Sequence, residues 1–330
     1  MSDGDRFEYL LDKIASADIE QEPFKHVHIE EFFEPEDFAA ITSANEIAIP
    51  PLEDDSALFD TLYDRGFKMV DFPGCITDRE EYIAWHSSGK TQRHIHTACE
   101  GFGVTLRLQA ASTPTLQELI AFLSSDRFNR TVADKFGLSL EKCNVDNGIQ
   151  KYLDGYEISP HPDIRRKAAT FMVNINPHGN SEDLDHHTHY LRLKPRYRHV
   201  QKFWQANDKI DRCWVPWDWC DNIKIQPTNN SIVLFAPDND TMHAVRARYD
   251  HLVSQRTQLY GNLWHKHIGD IPSRDWEHFA MDRGELSLGG IKRRVLDALP
   301  QTVTAMLRKA RRGSVSPEEA KTNEVAERNY

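Results

Sequence analysis

The chain has 330 residues and a formal net charge of −11, with 39% hydrophobic and 28% charged residues. That length can bury a sizeable core in one large domain or two small ones. The acidic balance argues against a general nucleic-acid binder, and no apolar run approaches the roughly 20 residues of a membrane helix. Five cysteines without a CxxC pair argue against a disulfide framework and for a reducing, cytoplasmic setting. The acidic start, Met1-Ser-Asp-Gly-Asp-Arg, lacks the apolar stretch of a secretory signal.

In chain order, residues 1–140 read as a helical support region. Phe7 to Ile14 has helical apolar spacing, Pro35 suits a first helical turn, and Thr113-Pro-Thr-Leu repeats that signature with Thr113 as cap. From Val145 the texture changes to β-branched and aromatic runs bounded by turn residues: Ala169 to Asn176, Asn230 to Phe235, and Val253 to Trp264. No helical pattern separates them as a βαβ repeat requires, so the spacing predicts an antiparallel β core over residues 141–265. The stretch 178–221, rich in His, Arg and Trp, reads as an insertion or extended loop. Trp214, Trp217 and Trp219 alternate as if on one strand face. Residues 266–313 read as a helical region whose basic part, 291–313, carries Lys292, Arg293, Arg294, Arg308, Lys309, Arg311 and Arg312 against Asp297. A solvated face is the ordinary reading, and contact with an anionic surface the sharper one. Residues 314–330 read as a disordered tail.

Sixteen histidines raise the question of metal ligation. Several His-x-His pairs and one His-x-Asp, at His161-Pro162-Asp163, are present, but a shuffled chain of this composition holds roughly one such triplet by chance. Order and context select more sharply. Tyr152-x-x-Gly155 precedes His161-x-Asp163, and the strand from Thr170 follows. Next come Pro227 and the strand Ser231 to Phe235, then His243-Ala-Val245, and last Arg256-Thr-Gln to Trp264. This ordered set, spanning Val145 to Trp264, resembles the Fe(II)/2-oxoglutarate-dependent dioxygenases, in particular their prolyl-4-hydroxylase-like branch.

The resemblance implies a fold that is mainly β with flanking helices around a double-stranded β-helix (jelly-roll) core. It implies that His161, Asp163 and His243 hold Fe(II) on one face, leaving positions for 2-oxoglutarate and O2. Arg256 would bind the far carboxylate of 2-oxoglutarate, a forked guanidinium being suited to it. Thr257 or Gln258 would assist, and Tyr152 would hydrogen-bond the cosubstrate. The reaction class implied is hydroxylation of a substrate C–H bond with release of succinate and CO2. Related halogenases replace the carboxylate with a small residue, so Asp163 favours hydroxylation or another oxidation.

Two departures stand out. The gap from His161 to His243 is long, which places the excess in 178–221, where Asp185-His-His-Thr-His189 suits a polar lid better than a second metal. No substrate signature is present either. A small metabolite leads over a protein side chain as substrate, and a non-catalytic jelly-roll binder is the reading from another class. There is no Walker loop, G-x-S-x-G or HExxH, and Gly101-Phe-Gly103 is a broken dinucleotide motif.

Overall fold

The computed structural model describes residues 6–89, 98–207 and 209–271. Contacts divide the chain after His278, so these residues belong to the first unit. The expected basic segment 291–313 and tail 314–330 lie outside the described residues, as does the helical region 266–313 beyond Ile271.

The chain begins with α1 (Tyr9–Ser16), β1 (Val27–Ile29), α2 (Pro35–Thr42), α3 (Asp55–Asp64), β2 (Phe67–Met69), α4 (Arg79–Ser87), β3 (Thr105–Leu108), α5 (Pro114–Leu123) and α6 (Asp126–Lys135). Eight further strands follow: β4 (Cys143–Tyr152), β5 (Glu157–His161), β6 (Lys167–Asn174), β7 (Thr188–Leu193), β8 (Cys220–Gln226), β9 (Ile232–Phe235), β10 (His243–Arg246) and β11 (Arg256–His265). Helix α7 (Arg198–Ala206) lies between β7 and β8.

Strands β4 to β11 pass back and forth between two antiparallel sheets, β7 and β8 both staying in the smaller one, with orders β1-β9-β6-β11-β4-β3-β2 and β5-β10-β7-β8. This interleaving of eight strands is the double-stranded β-helix. It follows from alternation: β11 turns Arg256, Gln258, Tyr260, Asn262 and Trp264 toward a cavity between the sheets, while Leu259 and Leu263 join the hydrophobic core behind it. Helices α1, α2, α3, α5 and α6 contribute Leu10, Ile41, Leu58, Leu119 and Phe128 to that core, which supports the larger sheet from outside.

Three expectations change. The first 140 residues are not only helical, because β1 pairs with β9 and the β2–β3 ladder adds to β4; strands of three or four residues leave little periodic signal. The stretch 178–221 is not one insertion. Thr188–Leu193 is a core strand, paired on one side with β10 and on the other with β8, and the extra chain runs from Lys194 to Trp219. Thr113 does sit at the N-cap of α5, but it makes no side-chain cap bond; its hydroxyl donates to Glu46 instead.

Candidate metal and cosubstrate site

Strands β5 and β10 are neighbours in register, with the Cα of His161 opposite that of His243. Both imidazoles therefore leave the same face of the smaller sheet, their ring centroids 4.3 Å apart. His161 Nδ1 lies 2.9 Å from the Ser159 carbonyl and His243 Nδ1 2.8 Å from the Thr241 carbonyl. A carbonyl only accepts, so each Nδ1 carries the proton and each Nε2 presents a lone pair to its surroundings. Burial, then the neighbouring His161, pushes His243 down to about 3, which keeps the ring neutral as a ligand must be.

Asp163 enters from the turn after β5, in the left-handed region at φ 72°, a conformation aspartate tolerates better than most residues. Its Oδ1 lies 3.6 Å from His161 Nε2 and its Oδ2 3.9 Å from His243 Nε2. Thr170 donates to Oδ2 at 2.9 Å and Lys167 to Oδ1 at 2.7 Å. Burial opposes ionisation, but the Lys167 ammonium outweighs it and holds the carboxyl well below the usual range. All three side chains are buried, and their donor atoms lie within 4.8 Å of one another. Two neutral imidazoles and one carboxylate on a common face make a donor set that fits a divalent transition metal with open positions.

Arg256 opens β11 and is 2% exposed. Its Nη2 donates to Thr188 Oγ1 at 2.9 Å, and its guanidinium lies 4.7 Å from the Tyr152 ring centroid. Its Nη1 is buried with no acceptor among the described residues. Among the described residues no carboxylate pairs with it, and burial lowers its pKa. A buried guanidinium with an idle N–H is costly unless an anion arrives, so the residue fits the far carboxylate of 2-oxoglutarate.

The other expected cosubstrate residues fall differently. Thr257 turns away from the cavity: its hydroxyl accepts from Lys151 and donates to the Gln255 carbonyl. Strand alternation puts Gln258 on the cavity wall instead. Tyr152 lines the cavity, but its hydroxyl donates to Gln150 at 2.6 Å, so what it presents to Arg256 is a ring face. Gly155, three residues on, has φ 79°, and a Cβ there would lie 2.1 Å from Trp85, which explains the glycine.

The cavity has a volume of about 390 Å³ and holds His161, Asp163, His243 and Arg256 on one wall system. The three tryptophans expected to share a strand face do not. Trp214 lines this cavity, Trp217 donates to Glu157, and Trp219 stacks on Tyr197. Within Asp185 to His189, His186 is bonded to the Ser181 carbonyl and His189 packs on Trp217; these residues form no close ligand group.

A second group that sequence order did not single out does form, from Asp55, His86 and His251. Asp55 accepts from His86 Nδ1 at 2.7 Å and from His251 Nε2 at 2.6 Å. The Asp154 backbone N–H donates to His251 Nδ1 at 3.0 Å, and His86 Nε2 lies 3.4 Å from the Asp154 carboxylate. Its residues come from α3, α4 and the loop before β11, and no local spacing announces them.

No protein-family model matches the chain, and no curated protein does. Among solved structures it is similar to a prolyl-4-hydroxylase from Pseudomonas putida, with 12% identity and TM-score 0.37, over 79% of this chain and 100% of that one. It is also similar to a prolyl hydroxylase from Trichoplax adhaerens solved with a peptide fragment, with 11% identity and TM-score 0.32, over 67% and 93%. A third is HygX from Streptomyces hygroscopicus, solved with nickel, 2-oxoglutarate and hygromycin B, with 12% identity and TM-score 0.28, over 64% and 86%. At such identities and TM-scores the chain's own residues are the ground for its function, and what they build is a double-stranded β-helix with a buried His-Asp-His group facing an unpaired arginine.

Proposed function

We propose that the chain is an Fe(II)- and 2-oxoglutarate-dependent oxygenase that hydroxylates a C–H bond of a small molecule. The observation that carries this reading is the pairing of two features in one cavity: imidazoles fixed with Nε2 forward around Asp163, and Arg256 with an idle buried N–H. His161, Asp163 and His243 would hold the metal, and Arg256 the far carboxylate of 2-oxoglutarate. When bound, the pair supplies oxidation of a substrate C–H bond, with 2-oxoglutarate and O2 consumed and succinate and CO2 released.

The chain's own contributions are positional. The Ser159 and Thr241 carbonyls hold the imidazole tautomers, and Thr170 with Lys167 fixes the carboxylate. Thr188 locks one arm of the Arg256 fork, so the other is aimed without further loss of freedom. The buried rings of Tyr152 and Tyr190 keep water from the guanidinium and strengthen its pairing. The carboxylate at Asp163 fills the position that a halide would need, which supports hydroxylation. Five cysteines with no disulfide bond between them support the cytoplasmic setting. No helix among the described residues is long and apolar enough to cross a membrane.

The test is an anaerobic titration with Fe(II) and 2-oxoglutarate followed by absorption, then O2 and a succinate assay. Binding of both by the wild type and of neither by His161→Ala is the expected result. Equal behaviour of the two proteins would overturn the reading.

A further inference from the structure

Away from Arg256 the cavity wall is cationic, yet its guanidinium groups are matched. Arg107 donates to Asp146 at 2.6 Å, Arg212 pairs with Glu100, and Arg166 lies 3.4 Å from Asp211. Lys167 is different. Its ammonium, on the same wall, donates to Asp163 Oδ1, and among the described residues nothing else accepts from it. An ammonium has three N–H donors. Below it, 5.8 Å away, lies the Trp264 ring. Trp214 faces the same cavity, and its buried Nε1 has no acceptor among the described residues.

The charge balance sharpens the point, and here the argument rests on the proposed function. With neutral imidazoles, Asp163 and Lys167 cancel. A divalent ion and the dianionic cosubstrate also cancel. The Arg256 charge is then left over, and Asp163 has to serve a metal as well as Lys167. The loaded cavity therefore carries one uncompensated positive charge, and its ammonium has lost part of its counter-charge. A low-dielectric cavity makes that state unfavourable unless an anion enters.

We infer that Lys167 anchors an anionic group, a carboxylate or a phosphate, on the prime substrate, with the Trp214 N–H as a second donor. Such a bond holds the neighbouring carbons of the same molecule beside the triad. The cavity of about 390 Å³ has to hold the cosubstrate as well, which suits a small prime substrate, and Trp264 and Trp214 offer surface to its apolar part. Lys167 is in this sense a specificity-determining residue.

The experiment uses the full chain loaded with Ni(II) and saturating 2-oxoglutarate, titrated calorimetrically with benzoate, phenyl phosphate and benzamide. These share a ring and differ in charge, and the two anions distinguish carboxylate from phosphate. At least one anion is expected to bind about tenfold tighter than benzamide, as a charge-assisted hydrogen bond implies. Lys167→Gln is expected to abolish that preference and Lys167→Arg to retain it. Absence of any anion preference in the wild type overturns the inference, whether or not the variants fold, and so does a preference that survives in Lys167→Gln. Heats for Ni(II) and 2-oxoglutarate are recorded before any probe is added. Their absence in the wild type would count against the oxygenase reading itself, whereas their presence without anion preference would remove only the anchor.

Discussion

Two clusters in this molecule use the same residue types, one aspartate and two histidines, and end in opposite chemical states. Around Asp163, both Nδ1 atoms donate to backbone carbonyls, so both Nε2 atoms offer lone pairs toward a shared centre. Around Asp55, a backbone N–H takes the Nδ1 lone pair of His251, so its Nε2 carries the proton and spends it on the carboxylate. His86 has a carboxylate at each nitrogen and is held as a cation. One cluster has unspent lone pairs and fits a metal; the other has matched each proton to an acceptor and works as a clamp between α3, α4 and the turns at Asp154 and His251. The difference comes from what the far nitrogen of each ring touches, not from the ligand residues.

The contrast can be broken most severely at the triad. His243→Ala should lower metal affinity by more than about 100-fold, read by metal content after dialysis and by loss of succinate formation. Arg256→Met comes next: losing one partner of a buried charge pair costs about 2–5 kcal/mol, or roughly 30-fold or more in 2-oxoglutarate affinity. Metal content should be unchanged in that variant. At the clamp, His251→Gln should leave metal content unchanged and destabilise the fold by about 1–3 kcal/mol through unpaired buried groups, measured by chemical denaturation. A metal-depleted His251→Gln protein of full stability would reverse the two assignments.

The smallest effect expected is a dependence on pH. Asp154, with Asp55, raises the His86 pKa from 6.5 to about 9. A raised folded-state value means the stabilisation is fully present below the unfolded value and is lost as pH rises through the folded one. The stability difference between wild type and His86→Gln should therefore shrink between about pH 6 and about pH 10, as followed by thermal melts. A difference that grows over that range would show that His86 is not the cation of the clamp.

The triad was legible because its residues fall in an ordered series of motifs along the chain: His161 and Asp163 flank the end of β5, and His243 begins β10. The clamp was not, since Asp55 and His251 are 196 residues apart and meet only through tertiary packing. Strand β7 escaped for another reason: its Thr-His-Tyr-Leu-Arg-Leu run lies among polar and basic residues and buries more than its composition suggests. Between Thr257 and Gln258 the sequence left the choice open; only Gln258 faces the cavity, and in a strand one step is the whole difference between cavity and core. Lys167 could be noticed four residues beyond Asp163, but its meaning depends on the left-handed turn that brings the carboxylate back to it.

The short strands of the first 140 residues have a practical consequence. The β1 strand covers the outer side of β9, and the β2–β3 ladder covers that of β4, so the N-terminal region grips the larger sheet from both ends. A fragment trimmed to the eight strands of the jelly roll would bare two rows of unpaired backbone groups at once, each a template for a neighbouring molecule. Such a fragment, although it contains every proposed ligand, is expected to aggregate; a chain that begins upstream of Val27 keeps both edges paired.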